Sequence, residues 1–580
     1  MAYLFSLSLG PAQEFIAAAR RTRDLWFSSW LLSELSKAAA KEIGRNRLIF
    51  PFVDDDGELE PDSDFNVVNK ILAKIDDDPR RLGQRVKAAV HNRLNEIMDR
   101  AFDEALKDFP AGSCNIDKAK AQVDDLPEIY WAAVPLNGDY AHARRRVEAL
   151  LAARKNTRDF GPTDKWRGNE WKSALDGLRE SVIPRTATRG KRGVKKNEAL
   201  CGVGLLKRFG KPSNQKEGED FASVPHIAAW PLIQSFSEGH NKALTEYVSF
   251  LWAKGVSKTA LYRPPCPCSA IFPYDGHILF EEQLKEYFDE TAQATELEQA
   301  REKLRELLKK EIGAAPLPYY AILFGDGDRM GEAIDARDTE AQHKKLSRAL
   351  SQFAGEARKI VSEHDGSMIY AGGDDVLALV PLSAVIQCAC QLADAFKGKL
   401  SEFKNAEEKS PTLSVGIGIS HQMEPLEDAL KLARDAEKEA KKLSGKDALC
   451  VKVSKRSGTV TTVVDHWGAL DERLKLFTSF HQEDEVPDGA AYELRQLADD
   501  FKDFPRGHKA EAYKKEATRI LSRKRSKRSA EAIKNDVQQK LLARVPDDSE
   551  KSSMAFSALA DELIVARLFV NKFERKGETK

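Results

Sequence analysis

The feature that most constrains the fold of this chain is an alternation of apolar runs and helical patterns between residues 313 and 457. Five runs have the length and the apolar or β-branched composition of buried strands. They are Tyr319–Phe324, Ser367–Ala371, Val376–Val380, Leu413–Ile419 and Ala448–Val453. Helical patterns lie between them, so the order is strand, helix, two strands, helix, strand, helix, strand. This order predicts an α+β domain.

Two acidic pairs stand at the ends of these predicted strands. Asp326 and Asp328 follow the first strand directly, and Asp374 and Asp375 lie in the tip between the two hairpin strands. If the first strand lies beside the hairpin, all four carboxylates can converge. They would then supply the hard oxygen ligands that a pair of divalent cations about 4 Å apart requires.

Two glycines, Gly372 and Gly373, precede the second acidic pair. They permit a tight turn and let backbone N–H groups approach a triphosphate. A pair of bound ions there would lower the pKa of an attacking ribose hydroxyl and stabilise a leaving pyrophosphate. A Gly-Gly-Asp-Asp hairpin alone is usually only a turn. Its occurrence after an Asp-Gly-Asp motif, in this strand order, favours catalysis.

The rest of the chain shows weaker patterns. Phe5, Leu7 and Leu9 alternate with serines, which predicts a half-buried strand before the break at Gly10-Pro11. Beyond that break the patterns predict a helix over 12–43, a strand over 129–134, a basic, loop-rich segment over 184–231, a solvated helix over 286–311 and a helical tail over 466–580.

Composition limits how the chain can bind other molecules. Its 580 residues contain 91 basic and 91 acidic side chains, so the formal net charge is zero and any binding of nucleic acid must come from local patches. No apolar run reaches the roughly 18 residues of a membrane-spanning helix, and the N-terminus has no signal-peptide pattern. Seven cysteines are a low, odd number that fits a reducing compartment. We therefore expect a cytoplasmic protein without membrane association.

The order strand, Asp-Gly-Asp, helix, strand, Gly-Gly-Asp-Asp, strand resembles the palm domain of GGDEF and class III cyclases. The wider chain is similar to the large subunit of type III CRISPR interference complexes, the Cmr-type palm polymerase/cyclase. Outside the palm, the similarity is carried by Ser8–Leu32, Phe221–Leu232 and Ala560–Phe569. The resemblance implies a multidomain α+β fold with two ferredoxin-like cyclase/palm domains, the first degenerate, and helical middle and C-terminal domains. The implied boundaries are 1–185, 186–312, 313–460 and 461–580.

The resemblance also implies roles for individual residues. Those that match metal-binding positions of cyclase palms are Asp326, Gly327 through its backbone, Asp328, Asp374 and Asp375, and the catalytic set is Asp326, Asp374 and Asp375. Lys441, or else Lys446, matches a lysine that binds the triphosphate, which would lie beside Gly372 and Gly373. Diguanylate cyclases read guanine with an Asn at the position that Ile334 occupies here, which favours ATP as the substrate.

Two family features are absent or altered. The chain begins directly with the cyclase-like strand, and its His364-Asp365 pair precedes a hairpin strand, so we expect no HD nuclease activity. The paired Cys-x-x-Cys motifs of the middle domain are reduced to Cys201 of Cys-Gly-Val-Gly. The Cys-x-Cys pairs at 266–268 and 388–390 have the wrong spacing for a usual zinc site, so zinc is not expected.

Clusters of arginine are candidates for RNA contacts. Arg20, Arg21 and Arg23 lie on the first predicted helix, and further basic patches occur at 144–146 and 523–528. Such charges are also common on solvated helix faces. In an RNA-guided complex they would bind phosphates of the crRNA 5′ tag or of the 3′ flank of the target RNA.

The function that the resemblance implies is that of a signalling enzyme. Bound to crRNA, target RNA and other Cmr-type subunits, the chain would convert ATP, with two Mg²⁺ or Mn²⁺ ions, into an adenylate second messenger. The product would be a cyclic oligoadenylate or an adenylyl conjugate such as that of S-adenosylmethionine. Two alternatives are a catalytically silent structural subunit and a stand-alone diguanylate cyclase. The gathered carboxylates argue against the first, because a scaffold has no need to collect like charges.

Overall fold

The computed structural model of the protein describes residues 1–157, 171–184, 194, 198–214, 221–256, 272–288, 293–456, 458–501, 509–526, 530–545 and 552–570. Its strands form two sheets. The first contains β1 (Tyr3–Gly10), β2 (Leu48–Phe50), β3 (Lys70–Ile75) and β4 (Glu128–Pro135). The second contains β5 (Tyr319–Asp328), β6 (Ser367–Gly372), β7 (Asp375–Val380), β8 (Thr412–His421), β9 (Ala448–Val453) and β10 (Thr461–His466). The predicted α+β class is confirmed.

Helices flank both sheets. Those of the N-terminal part are α1 (Gln13–Ala17), α2 (Thr22–Ile43), α3 (Pro79–Leu106), α4 (Ile116–Asp124), α5 (Tyr140–Asn156) and α6 (Gly202–Phe209). The middle part contains α7 (Val224–Gln234), α8 (Asn241–Ala253) and α9 (Ala294–Glu306). Around the second sheet lie α10 (Met330–Asp335), α11 (Glu340–Glu363), α12 (Val385–Leu400) and α13 (Leu426–Lys442). The C-terminal part contains α14 (Leu470–Gln482), α15 (Asp488–Asp500), α16 (Lys509–Arg523), α17 (Asn535–Leu542) and α18 (Ser552–Ala566).

The two sheets share one strand order. The first sheet has the order β2-β3-β1-β4, with antiparallel neighbours throughout. In the second sheet β6-β7-β5-β8 repeat that order, and β9 and β10 extend it beyond β8. Each set of four strands arises from the order strand, helix, strand, strand, helix, strand, which is the ferredoxin-like arrangement. The prediction of two palm-like domains is therefore confirmed.

The central strand of the first sheet is buried on both faces. Phe5, Leu7 and Leu9 of β1 pack against α2 and α3. Leu4, on the opposite face, packs against α5, and Ser6 on that face is fully buried. The prediction of a half-buried strand is therefore wrong, because α5 covers the face that the serines were expected to expose.

The long helix predicted near the N-terminus is interrupted at residues 18–21. The buried carboxylate of Asp24 accepts hydrogen bonds from the backbone N–H groups of Arg20 (3.4 Å) and Arg21 (3.2 Å). The same carboxylate forms an ion pair with Arg208 (2.9 Å). The ion pair with Arg208 fixes the Asp24 carboxylate, which accepts hydrogen bonds from backbone amides at the start of α2. A new helix therefore begins here instead of continuing from α1.

Two elements lie across a predicted domain boundary. β10 pairs with β9, so the second sheet continues past residue 460, and the tail that was expected to be helical begins with a strand. α6 was assigned to the middle domain, but its residues lie in the apolar core of the first sheet. The periodicity of the sequence does not reveal that β10 pairs with β9 or that α6 packs against the first sheet.

Apolar side chains cover both faces of the second sheet. One face packs against α11, α12 and the C-terminal helices in a single core. The other face packs against α7, α9 and α13. Packing of this density holds strand ends in place, and the acidic residues lie at these ends.

Candidate active site

The pairing of β5 with β7 brings three predicted carboxylates together. β5 runs to Asp328 and so includes the Asp-Gly-Asp motif, which the sequence placed after the strand. In the register of the two strands, Asp326 lies opposite Asp375. The backbone N–H of Gly327 donates a hydrogen bond to the carbonyl oxygen of Asp374 (3.1 Å). Asp326, Asp374 and Asp375 are therefore neighbours at one end of the sheet.

The glycine turn before these carboxylates is closely packed. Gly373 has a φ of +64°, a conformation that glycine adopts without strain. A Cβ atom on Gly372 would stand 2.6 Å from the hydroxyl oxygen of Tyr370 and 2.9 Å from Cγ1 of Val68. Val68 belongs to the first palm domain, as does Phe50, whose ring also approaches Gly373. The first domain thus forms part of the wall beside the turn.

Asp328 is held separately from the other three carboxylates. It is fully buried, and its Oδ2 accepts hydrogen bonds from the hydroxyls of Thr412 and Ser414 on β8 (both 2.8 Å). The backbone N–H of Asp447 donates a third bond to the same oxygen (3.1 Å). The prediction that four carboxylates converge is therefore wrong for Asp328, and three carboxylates lie together. Oδ1 of Asp328 has no hydrogen-bond partner in the part of the chain that the structure describes.

The two predicted lysines differ in their contacts. Lys441, near the end of α13, forms an ion pair with the carboxylate of Asp326, and its Nζ lies 3.4 Å from the carbonyl oxygen of Gly327. Nζ of Lys441 is also 3.5 Å from Oε1 of Glu437, one turn earlier on the helix. The side chain of Lys446 forms no hydrogen bond or ion pair with the residues that the structure covers. The geometry therefore favours Lys441 over Lys446 as the cation of this site.

The carboxylates perturb one another electrostatically. Burial, and next the charge of Asp326, raise the pKa of Asp374 well above its ordinary value. Burial, and then the charges of Asp374 and Asp326, raise the pKa of Asp375 further. Lys441 is the cation that opposes both shifts. Like charges held together in a partly buried place are typical of sites that bind cations or exchange protons.

These residues supply the oxygen donors that Mg²⁺ or Mn²⁺ prefers, namely carboxylates and a backbone carbonyl. They do not form a ready-made ligand set. Across the described ranges, no three His, Cys, Asp or Glu side chains stand close enough together to hold an ion. The carboxylate of Asp326 instead forms an ion pair with Lys441. The raised pKa values of Asp374 and Asp375 nevertheless indicate a place suited to a cation. A bound ion would relieve the repulsion between the neighbouring carboxylates.

A cavity of about 240 Å³ opens between the two palm domains beside the glycine turn. Its aromatic and polar lining includes Phe50, Phe52, Phe65, Asn66, Arg358, Gly372 and Gly373. Arg358 donates a hydrogen bond to the carbonyl oxygen of Asp64 in the first domain (3.1 Å). Sequence reasoning found Gly372 and Gly373 but missed the other lining residues and also Glu437. No local motif marks them, since they reach the site only through long-range packing.

Two regions of the chain match models of known protein families. A family model for the second palm domain of Cas10/Cmr2 matches residues 319–450. A second family model, for the N-terminal part of the CRISPR-associated protein Cmr2, matches residues 4–136. The first match covers β5 to β8 and the start of β9, and the second covers nearly all of the first sheet. In both palm domains the chain is therefore similar to proteins of the Cas10/Cmr2 family.

A curated Cas10/Cmr2 relative is the Cmr subunit Cmr2 of the CRISPR system of Pyrococcus furiosus. It is 26% identical over an alignment 594 positions long, gaps included, that covers 82% of this chain and 63% of the relative. The chain thus spans somewhat less than two thirds of that protein's length.

Solved structures share the fold. A chain of the type III-B Cmr-β complex in its apo state superposes with a TM-score of 0.66 at 13% identity, over 97% of this chain and 81% of the other. A chain of the same complex bound to cognate target RNA gives a TM-score of 0.62 at 13% identity, over 93% and 80% of the two chains. No helix in the described ranges is long and apolar enough to span a membrane.

The arginines predicted to bind RNA are divided between surface and interior. Arg20 is exposed. Arg23 donates a hydrogen bond to the carbonyl oxygen of Gly210 (3.1 Å). Arg21 is partly buried, and burial followed by the charge of Arg208 lowers its pKa to about 10. Only Arg20 of the three therefore lies open to a partner.

Arg144 and Cys201 have internal roles, whereas Arg145, Arg146, Arg523 and Arg525 are exposed. Arg144 is buried and pairs with Asp335 of the second palm domain. The thiol of Cys201 accepts a hydrogen bond from the backbone N–H of Gly204 (3.3 Å) at the start of α6. The Cys-x-Cys pair at 266–268 and the basic residues 527–528 lie outside the described residues.

Proposed function

We propose that this chain is the palm-domain subunit of a type III-B RNA-guided complex and that it makes an adenylate second messenger from ATP. The observation that carries the proposal is the placement of Asp326, Asp374 and Asp375 at paired strand ends, with Lys441 among them. The matches to the second palm domain of Cas10/Cmr2 and to a chain of the Cmr-β fold support it.

The residues that would hold Mg²⁺ or Mn²⁺ are Asp326, the carbonyl of Gly327, Asp374 and Asp375. Asp328 remains a further candidate, because one of its buried oxygens has no hydrogen-bond partner within the described ranges. A pair of such ions, when bound, supplies Lewis acidity toward the attacking hydroxyl and the leaving pyrophosphate.

The remaining chemistry falls to the side chains and backbone of the chain. Lys441 lies 3.4 Å from the carbonyl of Gly327 and can reach a phosphate placed over the acidic residues, where it would offset the charge of the triphosphate. The turn at Gly372 and Gly373 carries no side chains of its own, so its backbone N–H groups could approach a phosphate. The neighbouring cavity, with three Phe rings and Asn66, has the apolar walls and polar groups that suit a nucleotide base.

The reaction proposed is attack by a ribose 3′-hydroxyl on the α-phosphorus of ATP. One P–O bond forms, the bond to the leaving pyrophosphate breaks, and the hydroxyl proton is released. Ile334 occupies the position at which diguanylate cyclases carry a guanine-reading Asn, so ATP is the substrate we propose. The product is a cyclic oligoadenylate or, if S-adenosylmethionine is the acceptor, an adenylyl conjugate.

The partners we propose are crRNA, target RNA and other Cmr-type subunits in the cytoplasm. The Cmr-β structure bound to cognate target RNA supports this assignment by its shared fold. Within the chain, Arg20 is the exposed member of the predicted RNA-binding arginines. We propose no zinc site.

The assembled complex provides the test. It is incubated with ATP, S-adenosylmethionine and Mg²⁺ or Mn²⁺, with and without cognate target RNA, and the products are identified by mass spectrometry. We expect an adenylate product that requires target RNA and disappears in the Asp374→Ala, Asp375→Ala variant. Normal binding of target RNA without any product would instead support a catalytically silent structural subunit.

A further inference from the structure

A buried acid outside the predicted catalytic set lies beside the site. Glu437 is on the inner face of α13, and only 7% of its side chain is exposed. The helix presses directly on β8, since a Cβ atom on Gly416 would stand 2.0 Å from the backbone nitrogen of Glu437. The position of Glu437 relative to the sheet is therefore fixed by backbone packing.

Glu437 and Asp326 share one cation. Nζ of Lys441 pairs with the carboxylate of Asp326 and lies 3.5 Å from Oε1 of Glu437. In the part of the chain that the structure describes, neither acid forms an ion pair with any other cation. Lys441 is thus placed between an acid that is expected to bind metal and an acid on its own helix.

The arrangement has a consequence when a divalent ion approaches Asp326. A metal ion bound to Asp326 would repel the ammonium group of Lys441 and so weaken the ion pair between Lys441 and Asp326. Without Glu437, Lys441 would have no second carboxylate to pair with. It would then remain on Asp326 and compete with the metal ion for that carboxylate. With Glu437 present, Lys441 keeps an anionic partner and stays above the site.

We propose that Glu437 is a positioning residue that holds Lys441 when the carboxylate of Asp326 passes to a metal ion. This proposal rests on the proposed function, because it takes Asp326 to be a metal ligand. Glu437 itself does not touch the ion in this scheme. It acts by changing how strongly Lys441 competes for Asp326.

The test measures metal binding by the full-length chain, with activity as a separate readout. Free Mn²⁺ is quantified by electron paramagnetic resonance for the wild type, Glu437→Gln, Lys441→Met and the double variant. Thermal unfolding establishes that each variant is folded. Glu439→Gln is the matched control, because Glu439 lies two residues later on the same helix and pairs with Lys442 on the outer face (2.8 Å).

We expect Glu437→Gln to weaken Mn²⁺ binding by roughly three- to tenfold, a coupling typical of contacting charged residues. Lys441→Met should tighten binding, and adding Glu437→Gln to it should change the affinity by less than about twofold. Glu439→Gln should match the wild type. In the assembled complex, Glu437→Gln should raise the KM for ATP more than it lowers kcat.

Two results overturn the proposal. One is an unchanged Mn²⁺ affinity in Glu437→Gln. The other is a Glu437→Gln change that lowers the Mn²⁺ affinity equally in the wild type and in Lys441→Met. Glu437 would then be a direct metal ligand, or would act on the ion only through its negative charge. Failure of the proposed function looks different, because the wild type would then bind Mn²⁺ no better than an Asp326→Asn, Asp374→Asn variant.

Discussion

Replacing Asp375 with asparagine should stabilise the metal-free protein at high pH. In the folded chain this carboxyl is partly buried, and it lies beside Asp374 and Asp326, so its pKa is raised. A carboxyl whose pKa is higher in the folded than in the unfolded state costs stability as the pH rises above the ordinary carboxyl range. The full cost is reached above the raised pKa. Asparagine keeps the shape of the side chain and removes the charge.

The size of the effect follows from the surroundings. A pKa raised by one corresponds to about 1.4 kcal/mol at a pH above both values. The raised pKa of Asp375 is about 8, so most of this cost is already present at pH 8. Because Asp375 is partly exposed and Lys441 opposes the shift, we expect a discounted gain of about 1–3 kcal/mol for Asp375→Asn at that pH. For the second palm domain, at about 2–4 °C per kcal/mol, that gain raises the midpoint of thermal unfolding by roughly 2–12 °C.

The assay is thermal unfolding with a chelator at pH 5 and pH 8, repeated with saturating Mg²⁺. We expect the variant to gain at pH 8, to gain little at pH 5 and to lose its advantage when Mg²⁺ stabilises the wild type. Asp435→Asn on the outer part of α13 is the control, since its carboxylate has only a weak contact with Lys438 (3.9 Å). If Asp375→Asn is no more stable than the wild type at pH 8 without metal, the reasoning about gathered charge fails.

Further predictions concern close packing and the lysines. Gly416→Ala should destabilise the palm by about 3 kcal/mol or more in denaturant unfolding, because its Cβ would meet helix backbone at 2.0 Å, whereas Gly398→Ala, with open space around it, should be neutral or slightly stabilising. Gly372→Ala should lower the rate of ATP conversion about 10²-fold, because the turn must move away from a tyrosine hydroxyl 2.6 Å from the new Cβ. Lys441→Met should reduce kcat/KM for ATP at least about tenfold, whereas Lys446→Met should change it less than about threefold, as measured by initial rates.

Features set by local sequence were predicted well. Val376–Val380 is a run of apolar residues after a pair of glycines, and the structure has β7 at Asp375–Val380 with the turn before it. Ala448–Val453 is a strand with the predicted bounds. Strand composition and glycine turns act over a few residues, so a single sequence reveals them.

Features set by distant partners were not predicted. The break before α2 depends on Asp24, whose ion-pair partner Arg208 lies 184 positions away. The separation of Asp328 from the other carboxylates depends on hydroxyls at Thr412 and Ser414. Each of these contacts requires the tertiary fold, which local periodicity does not encode.

The same limit applies to the candidate site. The acidic residues and Lys441 follow from motifs, but the wall contributed by Phe50 and Val68 comes from the other palm domain. The role of Glu437 is hidden because its spacing from Lys441 is that of an ordinary helix ion pair. Only its burial and its nearness to the site distinguish it from Glu439.

The most direct test of the account is to locate the ions. Crystals of the full-length chain with Mn²⁺ and a non-hydrolysable ATP analogue would show Mn²⁺ by its anomalous scattering. We predict Mn²⁺ coordinated by Asp326, Asp374 and Asp375, with Lys441 displaced from Asp326 toward the triphosphate. An analogue bound without Mn²⁺ at these carboxylates, or Mn²⁺ bound elsewhere while Lys441 keeps its ion pair with Asp326, would contradict it.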